Sequence, residues 1–314
     1  MTQFNFRNTI LLAPGESLTT DGPRLVLYSQ SGTEVIIRPI DESKPFKDAT
    51  HLLIQGGPYA TENEAIRAGK SWRRQLLMAC SDRSIGIDIG DEAELRPLRI
   101  PLSQREFSPD DIVILKQRHG LQVYPVPADD ATFGFSAFTA DLAVGRSSEG
   151  LLTAIREVGP RASQMSARQT LALSLLHASR FAENPETKYV LLVTAVEALI
   201  KRADQSKVVR ELLTSFQDAV RDSDLSDEER TEVVGHLSRG KVETIGAAGR
   251  RLAAKLGDNI YGGVDPSTYF GNVYKIRSNI VHGNMSRPDH EQLRSEYGEL
   301  HRFVVELLHK IIVS

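Results

Sequence analysis

Apolar residues in the first half of the chain come in short β-branched runs, whereas those in the second half follow a helical spacing. Glycine, proline, aspartate and serine separate the short runs, as strand and turn signals require. One helix interrupts them at Glu62–Cys80, where Thr61 and Glu64 form a T-x-x-E capping box. The pattern predicts strands at Arg24–Tyr28, Glu34–Arg38, His51–Ile54, Ile85–Ile89, Ile112–Lys116 and Leu121–Tyr124.

From about Ser147 onward the apolar spacing is close to 3.6 residues, which is typical of amphipathic helices. We therefore expect an α+β protein. Residues 1–145 would form a β-rich domain with one or two helices and no assigned role, and residues 146–314 an all-α helical bundle. The boundary is expected between Phe138 and Gly150. The helices are predicted at Glu149–Val158, Ser166–Ala182, Glu186–Arg202, Lys207–Arg221, Ser226–Ser238, Val242–Leu256, Tyr269–His282 and Pro288–Val313.

Composition and charge narrow the class of protein. The 314 residues are 40% hydrophobic and 25% charged, which is typical of a globular chain. No apolar run approaches the roughly 20 residues that span a bilayer, and the N-terminus has no secretory signal pattern. A single cysteine, Cys80, excludes an intramolecular disulfide, so we expect a cytoplasmic protein with no membrane contact. The net charge of −3 excludes a broad cationic surface, so any contact with nucleic acid must be local.

Partial motifs in the first half are too incomplete to indicate chemistry. Gly69–Ser71 resembles the end of a phosphate-binding loop, but Glu64 stands where the loop needs its first glycine. Trp72 is expected in the core, and Arg73 and Arg74 on a solvated helix face. We expect no metal and no cofactor. An acidic cluster is expected to be a solvated turn, and it comprises Asp88, Asp91, Glu92 and Glu94.

The segment Tyr269–Asn284, YFGNVYKIRSNIVHGN, contains the candidate catalytic residues of this sequence. Arg277 falls inside the apolar arc of the predicted helix, so its charge needs a partner. His282 ends the helix, because Gly283 suits the left-handed position that follows. The helix dipole favours an imidazolium there. A protonated histidine can act as general acid in phosphodiester cleavage, and a nearby guanidinium can bind the phosphate.

A second charged residue in apolar surroundings is Glu197, in the helix YVLLVTAVEALI. A carboxylate there needs a cationic partner or hydrogen-bond donors. We predict that Glu197 contacts Arg277 or the backbone near it. If these residues have no catalytic role, the contact is a buried ion pair that fixes two helices, and His282 only caps its helix.

These two segments resemble the signatures of the HEPN superfamily, most closely its Apea-like branch. The motif YKIRSNIVHG is similar to the family's R-x4-H signature, and YVLLVTAVEALIKR to its helix with a single glutamate. Residues 56–79, followed by IGIDIG, resemble more loosely the region that often precedes such domains. The resemblance implies an HEPN-like C-terminal helical bundle that pairs as a homodimer. Two R-x4-H motifs would then form one metal-independent ribonuclease site, and cleavage would leave a 2′,3′-cyclic phosphate.

When the family's motif is matched to this sequence residue by residue, the resemblance assigns catalysis to Arg277 and His282. RNA is the implied substrate or ligand. A defence role in anti-phage, abortive-infection or toxin–antitoxin systems is implied, with an antitoxin or a phage-derived trigger as partner. A non-catalytic module that dimerises and binds RNA or another partner is the alternative. Ser278 stands where many active members have Asn, Asp or His, and a hydroxyl or amide there could still orient the phosphate. The supporting residues are Glu197, Lys275, Ser278 and Asn279.

Overall fold

The computed structural model describes residues 2–20, 22–90, 120–126, 144–162, 164–284 and 288–313. The chain divides into two compact units. The first consists of Met1–Asn184 with Ile311–Ser314, and the second of Pro185–Lys310. The strand predicted at Ile112–Lys116 lies outside the described residues.

The first unit is built on an antiparallel sheet of six described strands. The described strands of the first unit, including a separate pair, are β1 Phe4–Leu12, β2 Glu16–Thr19, β3 Leu25–Gln30, β4 Thr33–Pro39, β5 His51–Tyr59, β6 Ile87–Asp88, β7 Gly120–Pro125 and β8 Val144–Ser147. The order in the sheet is β3-β4-β5-β1-β6, and β7 also pairs with β1, beside β6. The separate parallel pair joins β2 to β8.

Helix α1, Glu62–Asp82, packs on one face of this sheet. It begins as predicted, because Thr61 and Glu64 form the capping box. Gly69 allows the close approach: a Cβ there would lie 2.5 Å from Cδ1 of Leu121 and 3.3 Å from the ring of Phe6. The glycine of the Gly69–Ser71 triplet therefore serves helix–sheet packing within α1.

Two further helices complete the first unit, α2 at Ser148–Ala162 and α3 at Ala167–Phe181. Both pack against α1. Arg180 of α3 donates from Nε to Oε1 of Glu16 in β2 at 2.8 Å. The packed unit therefore continues to Asn184. The boundary predicted at 145/146 falls inside β8, and the change from strand to helix follows Ser147.

In the residues that the structure describes, the regular elements of the second unit are helices, and the only other pairings are isolated bridges. Tyr261, Tyr269 and Phe303 form an aromatic cluster in its core, with ring centroids 5.0 to 5.7 Å apart. A short 3₁₀ turn, Ala254–Leu256, follows the fourth helix of the unit. The helices are α4 Pro185–Leu199, α5 Lys207–Arg221, α6 Asp227–Gly240, α7 Ile245–Ala253, α8 Pro266–Val281 and α9 His290–Val313.

The α+β class is confirmed, since an N-terminal antiparallel sheet precedes a succession of helices. All eight predicted helices of the second half are present. Helix α7 is shorter than predicted, because Thr244 caps its first turn. The sequence pattern missed β1, β2 and β8. Among the described ranges, no helix is long and apolar enough to cross a membrane.

Candidate functional site

The predicted site lies on α8 and on the residues that end it. Asp265 caps the start of α8, because its Oδ1 accepts from the N–H groups of Ser267 and Thr268 at 2.9 and 3.1 Å. Pro266 occupies the first turn, where its missing N–H costs nothing. The start of the helix is thus fixed by local chemistry, three residues earlier than the apolar pattern predicts.

His282 is the C-cap of α8, and Gly283 follows it with φ +67°, as predicted. The Gly283 N–H donates to the Ile280 carbonyl at 3.3 Å, and the Asn284 N–H to the Asn279 carbonyl at 2.9 Å. These two bonds form a Schellman motif. The side chains of the same two asparagines reinforce this motif, since Asn284 Nδ2 donates to Asn279 Oδ1 at 3.0 Å. The turn therefore holds the His282 backbone in one position.

The predicted contact between Glu197 and Arg277 is present. Arg277 Nη2 lies 3.0 Å from Glu197 Oε2, and the two side chains are 22% and 16% exposed. Burial raises the pKa of the Glu197 carboxyl, and Arg277 and a hydrogen bond from Thr194 oppose that rise. The pair joins α4 to α8 and anchors the guanidinium one turn before the end of α8.

Arg277 has N–H hydrogen-bond donors that this ion pair does not use. A guanidinium carries five N–H donors. Its Nε–H is buried and has no hydrogen-bond partner among the residues that the structure describes. An unsatisfied buried donor costs about 1–3 kcal/mol. Glu197 therefore holds Arg277 in place without satisfying it.

The structure does not bring the two predicted catalytic side chains together within one chain. Five residues on a helix correspond to a rotation of about 140° and a rise of about 7.5 Å. Within the described part of the chain, no hydrogen bond joins Arg277 to His282, and the His282 side chain is exposed. The remaining supporting residues differ in exposure: Lys275 is exposed, and Ser278 and Asn279 are half-buried.

Among the described residues, no group of three or more His, Cys, Asp or Glu side chains could hold a metal ion. Of the predicted acidic cluster only Asp88 is described. Cys80 is buried, and burial raises the pKa of its thiol.

The prediction for Arg73 was wrong. Its side chain is buried, and it donates to the carbonyls of Ile89 and Gly90 at 2.6 Å each and to Asn8 Oδ1. It therefore ties α1 to β1 and to the segment after β6. The apolar pattern carries no signal for this role, because two of these partners are backbone carbonyls, which every residue carries.

A second buried polar group that the pattern missed is His177 on α3. Its Nε2 lies 2.8 Å from the Leu77 carbonyl, and its Nδ1 accepts from the Ile87 N–H at 3.3 Å. This arrangement fixes a neutral ring with the proton on Nε2. Burial lowers the pKa of His177 to about 4. The residue is structural, and it links α1, β6 and α3.

Comparison with protein family models, with curated proteins and with solved structures finds no match to this chain.

Proposed function

We propose that this protein is an HEPN-type, metal-independent endoribonuclease that acts in the bacterial cytoplasm as part of an anti-phage, abortive-infection or toxin–antitoxin defence. Its substrate is RNA, and its site uses Arg277 and His282 from both chains of a homodimer. The observation that carries the proposal is the anchored Arg277 one turn before the exposed His282.

The chemistry follows from the two side chains. Arg277 binds the scissile phosphate and offsets the negative charge that grows in the transition state. The RNA 2′-oxygen attacks phosphorus, and the bond from phosphorus to the 5′-oxygen breaks. One His282 imidazolium donates its proton to that leaving 5′-oxygen, while a neutral His282 from the other chain accepts the proton of the 2′-hydroxyl. The products are a 2′,3′-cyclic phosphate and a 5′-hydroxyl.

Each supporting residue has a role in this proposal. Glu197 positions the Arg277 side chain through the 3.0 Å ion pair. Asn279 and Asn284 rigidify the turn that presents His282. Lys275, exposed two residues before Arg277, adds a cation for the adjoining phosphate, and the Ser278 hydroxyl offers the phosphate a further donor.

The second candidate is the non-catalytic module that dimerises and binds RNA or another partner. The Glu197–Arg277 pair favours it as well, because both side chains are mostly shielded and an ion pair of this kind can serve packing alone. RNA binding without cleavage would still weaken with salt, in proportion to the phosphates neutralised. A flat salt response would exclude RNA as the ligand and leave another partner.

The deciding experiment is cleavage of single-stranded RNA and transfer RNA in EDTA, with the product ends identified by mass spectrometry. We expect cleavage by the wild type and a loss of about 100-fold or more in His282→Ala, since the general acid is removed. His236→Ala is the matched control, because His236 is an exposed histidine on α6, and it should cleave like the wild type.

Two outcomes would contradict the nuclease. Equal cleavage by the wild type and His282→Ala would place the activity elsewhere. No cleavage by either protein, together with salt-dependent RNA binding, would establish the binding module instead.

A further inference from the structure

The side of helix α8 that carries His282 continues back toward the start of the helix. Gly271, Tyr274, Ser278 and His282 follow one another at intervals of three or four residues. At 100° per residue they fall within an arc of about 80°, so they form one face of the helix, the α8 face. Its last residue belongs to the candidate site, and its first two lie where α7 packs on α8.

Arg250 of α7 lies beside the beginning of the α8 face. A Cβ added at Gly246 would be 3.7 Å from Arg250 Nη1 and 3.8 Å from Tyr274 Cε1. A Cβ added at Gly271 would be 3.9 Å from the same Nη1. The guanidinium and the tyrosine ring therefore border one patch of surface. Arg250 is exposed, and within the described part of the chain its guanidinium has no hydrogen bond or ion pair, so its five N–H donors are available to a ligand.

The neighbouring arginine on α7 has a structural role that Arg250 does not share. Arg251 Nη2 lies 2.7 Å from Glu243 Oε2 and donates to the Lys201 carbonyl at 2.9 Å. Arg251 therefore ties α7 to the segment that follows α4. Of two consecutive arginines, one stabilises the fold, and the other presents its charge beside the α8 face.

The charge of this region indicates an anionic partner. Helix α8 contains no Asp or Glu from Pro266 to Val281, although the whole chain has a net charge of −3. Its charged residues are Lys275 and Arg277, and Arg250 adds a third cation from α7. A cationic strip on an acidic protein attracts a polyanion locally. RNA is the polyanion that the proposed function requires, and the present inference rests on that function.

Tyr274 offers a surface on which an unpaired base can stack. Its ring centroid lies 5.7 Å from that of Phe270, and the two ring planes differ by 21°. Phe270 is fully buried and supports the tyrosine ring, whereas Tyr274 is half-buried. Proteins bind single-stranded nucleic acid by combining aromatic side chains, on which bases stack, with cations that contact the backbone. Tyr274 and Arg250 provide one of each on the same patch.

We propose that Arg250 and Tyr274 form a subsite for single-stranded RNA, in which Arg250 binds a backbone phosphate and Tyr274 stacks on a base. The α8 face guides the strand from this subsite to His282. The eight residues from Tyr274 to His282 span about 12 Å. This distance is about three or four stacked nucleotides at about 3.4 Å each. The subsite therefore contacts the strand a few nucleotides away from the bond that is cleaved.

Fluorescence anisotropy with a labelled single strand of about twelve nucleotides tests the subsite, with every variant built on His282→Ala so that the RNA stays intact. Arg250→Ala should weaken binding and lower the slope of log K against log salt by about 0.7, because one phosphate contact is lost. Tyr274→Leu should weaken binding about 5- to 150-fold with an unchanged slope, because it removes stacking but no charge. Tyr274→Phe keeps the ring and should bind like the parent.

Arg239→Ala is the matched control for the loss of one positive charge. Arg239 is exposed on α6, and it lies four residues after Gly235 as Arg250 does after Gly246. Its Nη1 would be 3.9 Å from a Cβ added at Gly235, and within the described residues its guanidinium has no hydrogen bond or ion pair. Arg239 lies outside the α8 face, so Arg239→Ala should bind RNA like the parent.

Substrate length tests the position of the subsite. With His282 intact, Arg250→Ala should cleave a dinucleotide as fast as the wild type does, because a dinucleotide is too short to reach Arg250. It should have a higher KM than the wild type for the longer strand. A folding defect would instead impair cleavage of both substrates, and unchanged circular dichroism spectra check the fold of each variant.

The outcomes separate the subsite from the proposed nuclease. If the wild type cleaves no RNA but Arg250→Ala and Tyr274→Leu both lose affinity, the subsite stands and the nuclease falls. If His282→Ala abolishes cleavage while the other two variants bind and cleave normally, the nuclease stands and the subsite is overturned. An equal loss of affinity in Arg239→Ala would also overturn the subsite, because it would trace binding to overall charge. A protein that binds no single-stranded RNA would overturn both.

Discussion

Replacing Arg277 with methionine removes the positive member of the Glu197–Arg277 ion pair and keeps most of the side-chain volume. The Glu197 carboxylate is then left without a cation in a site where it is 16% exposed. Burial already raises its pKa above the ordinary value of 4.5, and Arg277 is the largest influence that opposes the rise. We therefore expect a loss of stability that depends on pH.

The size of the effect follows from the geometry. At 3.0 Å and an effective dielectric constant of about 20, the gross attraction is about 5 kcal/mol, most of which desolvation offsets. Breaking a buried pair from one side costs about 3–5 kcal/mol, and an exposed pair is worth about 0–1 kcal/mol. With 22% and 16% exposure, we expect Arg277→Met to lose about 2 kcal/mol at pH 7.5. Glu197→Gln should lose less, because no buried carboxylate remains.

The pH dependence has a definite sign. A carboxyl whose pKa is raised on folding stabilises the folded state fully below its ordinary pKa, and this contribution is lost as pH rises through the folded value. Without Arg277 the pKa of Glu197 rises further, so Glu197 takes up a proton in the folded variant at mildly acidic pH. The deficit of Arg277→Met relative to the wild type should therefore shrink from pH 7.5 to pH 5.

Urea denaturation of the wild type, both single variants and the double variant at the two pH values measures this directly. The double variant Glu197→Gln/Arg277→Met should show little change of its deficit with pH, because it lacks the titrating carboxyl. A deficit for Arg277→Met that is equal at pH 5 and pH 7.5 would refute the reasoning, since it would trace the loss to packing rather than to the unpaired carboxylate.

Two further predictions concern stability away from the site. Because the pKa of His177 falls from 6.5 to about 4 on folding, the stability it contributes is present above pH 6.5 and is lost as pH falls toward 4. His177→Gln should therefore remove about 2 kcal/mol of the wild-type loss between pH 7 and pH 5 in urea titrations, and an unchanged pH profile would contradict this. Gly249→Ala should destabilise by about 1–3 kcal/mol, because its Cβ would lie 2.0 Å from the Phe270 ring. The added Cβ of Gly298→Ala on α9 would have no atom within 4 Å, so this substitution should stabilise the protein by about 1 kcal/mol. Thermal denaturation compares the two glycine variants. Equal thermal midpoints would show that the α7–α8 contact adapts to the Cβ added at Gly249.

The sequence predicts the helices of this protein better than its sheet, for physical reasons. A capped amphipathic helix is specified by residues a few positions apart, as Thr61 with Glu64 and Ser226 with Glu229 illustrate. Strand β1 is specified by partners far along the chain, since Phe4–Leu12 pairs with β5, β6 and β7. Its segment FNFRNTILL places Arg7 and Asn8 within the run, and both are buried through distant hydrogen bonds.

The candidate site was predictable where a charge conflicted with its surroundings. Glu197 and Arg277 each interrupt an apolar helix face, and burying two isolated charges costs more than pairing them, so their contact follows from the sequence. His282 as a helix cap follows from Gly283 in the same way. Arg73 and His177 escaped prediction because their partners are largely backbone carbonyl and N–H groups, which every residue carries.

Helix α5 shows why an apolar pattern cannot by itself separate a core from an interface. The spacing of Val209, Leu212 and Phe216 is that of a helix packed on its own chain, and on that basis it predicts α5 correctly. The same spacing is required of a helix that packs on a second chain, because the packing geometry of two helices does not depend on whether a loop joins them. Only the exposure of Val209, Leu212 and Phe216 distinguishes the two cases, and exposure follows from where the rest of the chain packs. An apolar helix face that the folded chain leaves exposed is therefore information that the spacing of the residues does not carry.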